Sequence, residues 1–251
     1  MRLHEKTASL QTVNNSLDIV EALEELDGAR ISELATHIDL SKSSIHKHLV
    51  TLKRRGYVMM DGDEYHIALR FVSLGEYAKY RTPARRKLLE FAKNMPDFGG
   101  LHIGVVIEEN GRGVYLKPES GKHTLTASQE GKQVYLHSTA AGKAILANLP
   151  DEKVDKILEY WGMPKLTENT IRDRDTLDQE LNTIREQGFA INNGESIEGI
   201  QAIATAVTNP NGTNLGAISV RGPQYQFDNL WYEEELTDEL IQQVNQLEQQ
   251  L

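Results

Sequence analysis

The sequence predicts an α+β protein: an N-terminal winged helix-turn-helix, a linker helix, and a larger C-terminal unit with an antiparallel sheet. Three observations point to this. Apolar residues between Leu10 and Leu52 recur at helical spacings. The segment from Ser41 to Arg55 holds five Lys or Arg and no acid, in a chain of formal net charge −10. From Leu101 onward strand-like runs take over, interrupted by Asn110-Gly111 and by Asn209-Pro210-Asn211-Gly212, which are turn formers.

Taken in order, Leu10, Val13, Leu17, Val20, Leu23 and Leu26 keep a spacing of three or four and predict a first amphipathic helix, stopped near Asp27-Gly28. Ile31, Leu34, Ala35 and Ile38 predict a second, short helix with Ser32 as its N-cap; after a turn at Asp39-Leu40, Ser41 caps the third. In that third helix Ile45, Leu49 and Leu52 form the inward stripe, and Ser43, His46, Lys47, Val50 and Arg54 lie on the other side. Lys53, Arg54 and Arg55 suit the negative end of a helix dipole. That solvated-face reading leaves Lys42 and Lys47 unexplained, whereas a basic face on an acidic chain fits a polyanionic partner. Gly56 ends the helix. Tyr57-Val58-Met59-Met60 and Tyr65-His66-Ile67 then predict a hairpin turning on Asp61-Gly62. A tight turn before a basic third helix, followed by a hairpin, is the layout of a winged helix; an ordinary three-helix domain with an added hairpin is the alternative.

Val13-Asn14-Asn15-Ser16-Leu17-Asp18-Ile19-Val20, Ile31-Ser32-Glu33-Leu34-Ala35, the run Ser41 to Leu49 and Gly56-Tyr57-Val58 together resemble the DNA-binding domain of the IclR family of transcriptional regulators. The resemblance implies that the third helix enters the major groove and the wing lies along the backbone. By position, Ser43, His46 and Lys47 would face base edges, Lys42, Ser44, Arg54 and Arg55 would hold phosphates or pack nearby, and Val50 could meet a thymine methyl. The wing tip, Asp61-Gly62-Asp63-Glu64, departs from this: its acids repel phosphates, so a shallow wing is expected.

Leu69, Val72, Leu74, Tyr77 and Tyr80 predict a helix closed by Thr82-Pro83. The resemblance makes it the segment that joins two domains and helps pair subunits. The expected organisation is 1–68 for DNA binding, 69–82 for the linker helix and 83–251 for effector binding. A helix from Pro83 to Lys93 comes next. Strands are expected over Leu101–Ile107, Gly113–Leu116, His123–Ser128, Gln133–Leu136, Ala202–Thr208 and Leu215–Val220. An Ala-rich helix from His137 to Ala147 is expected to open on a Ser or Thr cap, with further helices over Asp151–Trp161 and Arg174–Gln187. Leu236, Leu240, Val244, Leu247 and Leu251 predict a tail helix packed on the C-terminal unit, with subunit contact as the alternative.

Gly142-Lys143 invites comparison with a phosphate-binding loop. The required upstream glycine falls on His137, however, and Ala144 replaces the hydroxyl. The eight histidines show no metal-ligand spacing, since His46 and His48 point to different sides of a helix. Ser138 beside His137 is accounted for by capping rather than by nucleophilic catalysis. Neither a cofactor nor a metal is expected.

His137-Ser138-Thr139-Ala140-Ala141-Gly142-Lys143-Ala144-Ile145-Leu146-Ala147, Gly188-Phe189-Ala190, the run Gly194 to Ala204 and Gly216-Ala217-Ile218-Ser219-Val220 are similar to blocks of the IclR-type effector domain. That resemblance, which covers about Leu10 to Asp228, implies a GAF-like sheet whose concave side takes a small metabolite, often an organic acid. Positional transfer puts the pocket among Ala140, Ala141, Asn192, Ile200, Ala202, Ser219 and Arg221. A helix start bordered by small residues lets a carboxylate reach free N–H groups. Arg221, two residues after Ser219 and on the same strand face, either pairs bidentately with that carboxylate or is a surface arginine before Gly222-Pro223.

Composition bounds the rest. Cysteine is absent, which removes disulfides and thiol chemistry. No run of eighteen apolar residues occurs and the N-terminus leads into no apolar signal core, so a cytoplasmic protein without membrane contact is expected. Acids exceed bases by 37 to 27, which disfavours non-specific nucleic-acid binding and suits a salty cytoplasm. The reading is a homodimeric or homotetrameric regulator of an inverted-repeat operator on double-stranded DNA, tuned by a small-molecule effector. The alternative is an enzyme acting on a small carboxylate with a winged-helix appendage.

Overall fold

The structure, a computed structural model, describes residues 9–116, 130–227 and 230–251. The strand expected over His123–Ser128 lies outside the described residues. The chain divides into two compact units, one ending at Arg81 and the other running from Thr82 to Leu251.

The N-terminal unit contains α1 (Gln11–Glu25), α2 (Ile31–His37), α3 (Lys42–Arg54), β1 (Val58–Asp61), β2 (Glu64–Ile67) and α4 (Arg70–Lys79). Ile19, Leu23, Leu34, Ile45, Leu49 and Val58 are buried together in its core. Leu10, Val13 and Leu17 are not in this cluster and are exposed. Steps of three fall short of the 3.6-residue turn, so the apolar series in α1 drifts around the helix and yields two faces, of which only that of Ile19, Ala22 and Leu23 meets the core. Ser41 caps α3 as expected, its hydroxyl accepting the Ser44 N–H at 3.2 Å. Ser32 does not cap α2. It lies inside the helix, the N-cap position belongs to Arg30, and the Glu33 carboxylate accepts the Arg30 N–H at 2.7 Å.

In the wing Val58 pairs with Ile67 and Asp61 with Glu64. The turn is therefore Gly62-Asp63, one residue later than expected, with Gly62 at φ +59°, a region open to glycine. Ala29 adds a bridge to Tyr65. Arg30 pairs with Asp63 at 3.0 Å and Glu64 at 3.5 Å, so part of the wing tip's negative charge is already answered by a neighbouring cation.

The C-terminal unit starts with α5 (Pro83–Lys93), capped by Thr82. It continues through β3 (His102–Glu109), β4 (Arg112–Leu116), β5 (Gln133–Tyr135), α6 (Ala140–Ala147), α7 (Asp151–Trp161) and α8 (Arg174–Gln187), then β6 (Ala190–Asn193), β7 (Ile200–Thr208), β8 (Asn214–Pro223) and α9 (Leu230–Glu248). The strands form one antiparallel sheet in the order β5-β4-β3-β8-β7-β6. Val106, Ala202, Ala204 and Ala217 join the cluster formed with α6, α7 and α8. Alternate residues Val105, Ile203, Ile218 and Val220 are equally buried, so both faces are covered. α5 meets β3 and β8, and α9 meets β7. Leu236, Leu240, Val244 and Leu247 of α9 are buried, and the Glu248 carboxylate accepts the Thr208 N–H at 2.6 Å and its hydroxyl at 2.8 Å.

Candidate functional site

On α3 the sequence places apolar and basic residues on separate sides, and the structure keeps them apart. Ile45 and Leu49 are buried; Lys42, Ser43, His46, Lys47, Val50, Arg54 and Arg55 are exposed, and Ser44 is half-buried. A hydrogen bond of 2.8 Å between Ser16 Oγ and His48 Nδ1 ties α3 to α1 and leaves the outer face of the helix free to meet a groove.

The C-terminal unit contains a cavity of about 240 Å³, below the roughly 300–1,000 Å³ of pockets for drug-sized ligands. All seven residues expected there line it: Ala140, Ala141, Asn192, Ile200, Ala202, Ser219 and Arg221. β7 and β8 bring the last three together, since Ala202 and Arg221 are register partners. The start of α6 faces the same space with its two alanines. Its cap is Thr139, whose hydroxyl accepts the Gly142 N–H at 3.0 Å; Ser138, expected to cap, instead donates to the Tyr135 carbonyl at 3.1 Å. His137 reaches the Pro164 carbonyl at 3.3 Å, and burial holds its imidazole below the ordinary histidine range, so the two neighbours form no nucleophile–base pair.

Arg221 is not a surface arginine. β8 continues past Val220 to Pro223, which keeps Arg221 inside the sheet at 8% exposure. Its guanidinium carbon sits 4.9 Å from the Tyr115 ring centre, and its Nε is buried without a hydrogen-bond partner among the described residues. Ser219 donates to the Gly104 carbonyl at 3.4 Å. Asn192 lines the cavity, but its amide bridges backbone: Nδ2 donates to the Ser138 carbonyl and Oδ1 accepts the Glu195 N–H. Among the described residues no Asp or Glu lines the cavity, whereas Arg112 and Lys132 do. Arg112 and the aromatic walls Tyr115 and Tyr135 were not among the expected site residues. Arg112 reaches the site because β4 pairs it with Tyr135, which a linear spacing does not reveal.

Behind the cavity Lys143 is buried at 1% exposure, with Nζ 2.7 Å from both Glu180 Oε1 and Glu195 Oε1. Burial pushes the Glu195 carboxyl above its usual range despite Lys143, which acts the other way. The Thr167 hydroxyl donates to the Gly194 carbonyl at 2.7 Å and the Thr170 hydroxyl to the Glu195 carbonyl at 2.7 Å. The segment carrying the lining residues Ser196 and Ile197 is thereby pinned at its start. Among the described residues no cluster of three or more metal-ligating side chains occurs, and no helix is long and apolar enough to cross a membrane.

Residues 93–251 match the family described as bacterial transcriptional regulator IclR C-terminal, and residues 12–62 match the IclR helix-turn-helix domain. The chain belongs to the IclR family. It is 30% identical to the protein named "Probable HTH-type transcriptional regulator ArcR" of Halobacterium salinarum, over 96% of this chain and 94% of that one. Its identity to the HTH-type transcriptional regulator KdgR of Escherichia coli is 29%, over 90% and 87%. The solved IclR of Thermotoga maritima superposes with a TM-score of 0.76 at 24% identity, covering 97% of this chain and 99% of that chain. The IclR regulator of Alicyclobacillus acidocaldarius superposes with a TM-score of 0.77 at 20% identity, covering 96% and 98%. As an IclR-type transcriptional regulator, the chain combines a helix-turn-helix domain with the family's effector-binding domain.

Proposed function

We propose that this regulator binds an inverted-repeat operator as a cytoplasmic homodimer or homotetramer, reading bases with α3, and that a small carboxylate in the C-terminal cavity tunes that binding. Residues 1–68 would serve DNA, 69–82 the linker and 83–251 the effector. The carrying observation is Arg221: a buried guanidinium whose Nε has no partner among the described residues, beside a helix start, in a cavity that none of the described acids lines. A buried donor left without a partner is costly, and a ligand carboxylate would supply the partner. Pairing of subunits is supported by apolar residues left exposed in the N-terminal unit, among them Leu10 at the start of α1 and Leu17 within it, and Leu69 at the start of α4 with Val72 and Tyr77 within it. A single winged helix also makes too few contacts for tight specific binding, whereas two read a longer site. For the effector to matter it must bind one subunit arrangement better than the other.

The test is a thermal-shift screen of small carboxylic acids on the native chain and on Arg221→Gln. An acid at about a hundredfold its Kd adds roughly 2.7 kcal/mol, and a unit of this size shifts roughly 2–4 °C per kcal/mol. The substitution should remove most of that shift; no response to any acid sinks the reading. On the DNA side, Lys47→Ala is expected to cost about 1–3 kcal/mol against duplexes selected from a randomised pool and to blunt discrimination at one position of each half-site. Unchanged affinity at physiological salt would remove α3 as the recognition helix.

A further inference from the structure

We propose that the cavity is built for a ligand with two separated acidic groups, a dicarboxylate, with Arg221 receiving one end and Arg112 the other. This rests on the reading that the cavity takes an acid at Arg221. Arg112 is a second cation in the same cavity with unused donors: its Nε and Nη1 are buried without hydrogen-bond partners among the described residues. Its guanidinium carbon lies 3.6 Å from the ring centre of Tyr135 and 5.0 Å from that of Trp161. Aromatic faces hold such a group in a fixed orientation but leave its in-plane N–H donors unsatisfied.

The two arginines stand apart. Arg221 is the register partner of His102 at one end of β3, and Arg112 is the partner of Glu109 at the other. One carboxylate held by both is therefore disfavoured, and a mono-acid at Arg221 would leave the Arg112 donors uncompensated. Among the described residues no acid lines the cavity to neutralise either cation, so a ligand that brings both charges would answer both. The volume of about 240 Å³ restricts it to a small metabolite.

The test is calorimetric titration of the native chain with length-matched acids: pentanoate against glutarate, and hexanoate against adipate. At one chain length or more the diacid is expected to bind about tenfold tighter or better, the worth of one further charge-assisted hydrogen bond. Arg112→Gln should bring the diacid-to-mono-acid affinity ratio down towards one, whatever it does to the mono-acid alone, with residual mono-acid binding reporting that the variant's cavity is intact; Arg221→Gln should weaken both. Should Arg112→Gln fail to fold, the native chain decides by whether a diacid preference exists. Equal affinities within each pair, or a preference that survives Arg112→Gln, overturn the second acidic subsite and leave the acid at Arg221 standing. Absence of binding by all four overturns this inference, whereas the acid at Arg221 falls only if no acid of the thermal-shift screen responds.

Discussion

Replacing Lys143 with methionine is expected to destabilise the C-terminal unit by about 3–5 kcal/mol at neutral pH, the usual cost of removing one partner from a buried ion pair. Methionine fills nearly the same volume, so little of the loss would come from a cavity. What remains is the Glu195 carboxylate, whose side chain is 10% exposed and which already has Oε2 without a hydrogen-bond partner among the described residues. Glu180 is less affected, because its side chain is 31% exposed and water can take over. The pH dependence separates charge from packing. Burial raises the Glu195 carboxyl above its unfolded value, and a group raised in this way contributes stability below the unfolded pKa that is lost as pH rises through the folded one. Without Lys143 the carboxyl rises further, so the variant's deficit should shrink as pH is lowered towards the ordinary carboxylate range. The double variant Lys143→Met with Glu195→Gln should recover part of the loss at neutral pH. Urea unfolding at several pH values measures both; a deficit independent of pH would assign the effect to packing alone.

The linear sequence reveals features that depend on neighbours a few residues apart. α5, α7 and α8 occupy the expected ranges Pro83–Lys93, Asp151–Trp161 and Arg174–Gln187, and the structure shows the local reasons for their ends: Thr82 caps the first, and Gly162 and Gly188 follow the other two. The hairpin at Asn110-Gly111 is legible because both residues take positive φ, at 52° and 82°. β6 is not, because Asn192 and Asn193 are poor strand formers and the strand is held by pairing with β7. The seven expected cavity residues do share a cavity, but their grouping came from family resemblance, not from spacing. Arg112 becomes visible only through register. Lys143 shows the same limit: its acidic partners lie 37 and 52 residues away in sequence, so the Gly-Lys pair looked like a failed phosphate loop rather than part of a buried ion network.

The glycine of that pair has its own explanation, and Gly142→Ala tests it. Inside a helix alanine normally gains about 0.8–1.0 kcal/mol over glycine, and Gly142 lies in α6 without positive φ, so propensity alone predicts stabilisation. The surroundings predict the reverse. A Cβ at this position would stand 2.2 Å from the Leu136 carbonyl oxygen and 2.6 Å from its Cα. These are backbone atoms of the short 3-10 turn Leu136–Ser138 that precedes the helix, and no flexible side chain can give way. The turn or the helix must shift, and overpacking of this kind costs about 1–3 kcal/mol, with backbone contacts at the high end. With the cost at the high end, we expect a net loss of up to about 2 kcal/mol, the sign opposite to helix propensity. Because Thr139 caps α6 through the Gly142 N–H and Ala140 and Ala141 line the cavity, the displacement would also move the cavity wall. Thermal unfolding and acid titration of the variant should therefore fail together. An unchanged or raised Tm would show that the turn can yield, and that the close approach is not what requires glycine here.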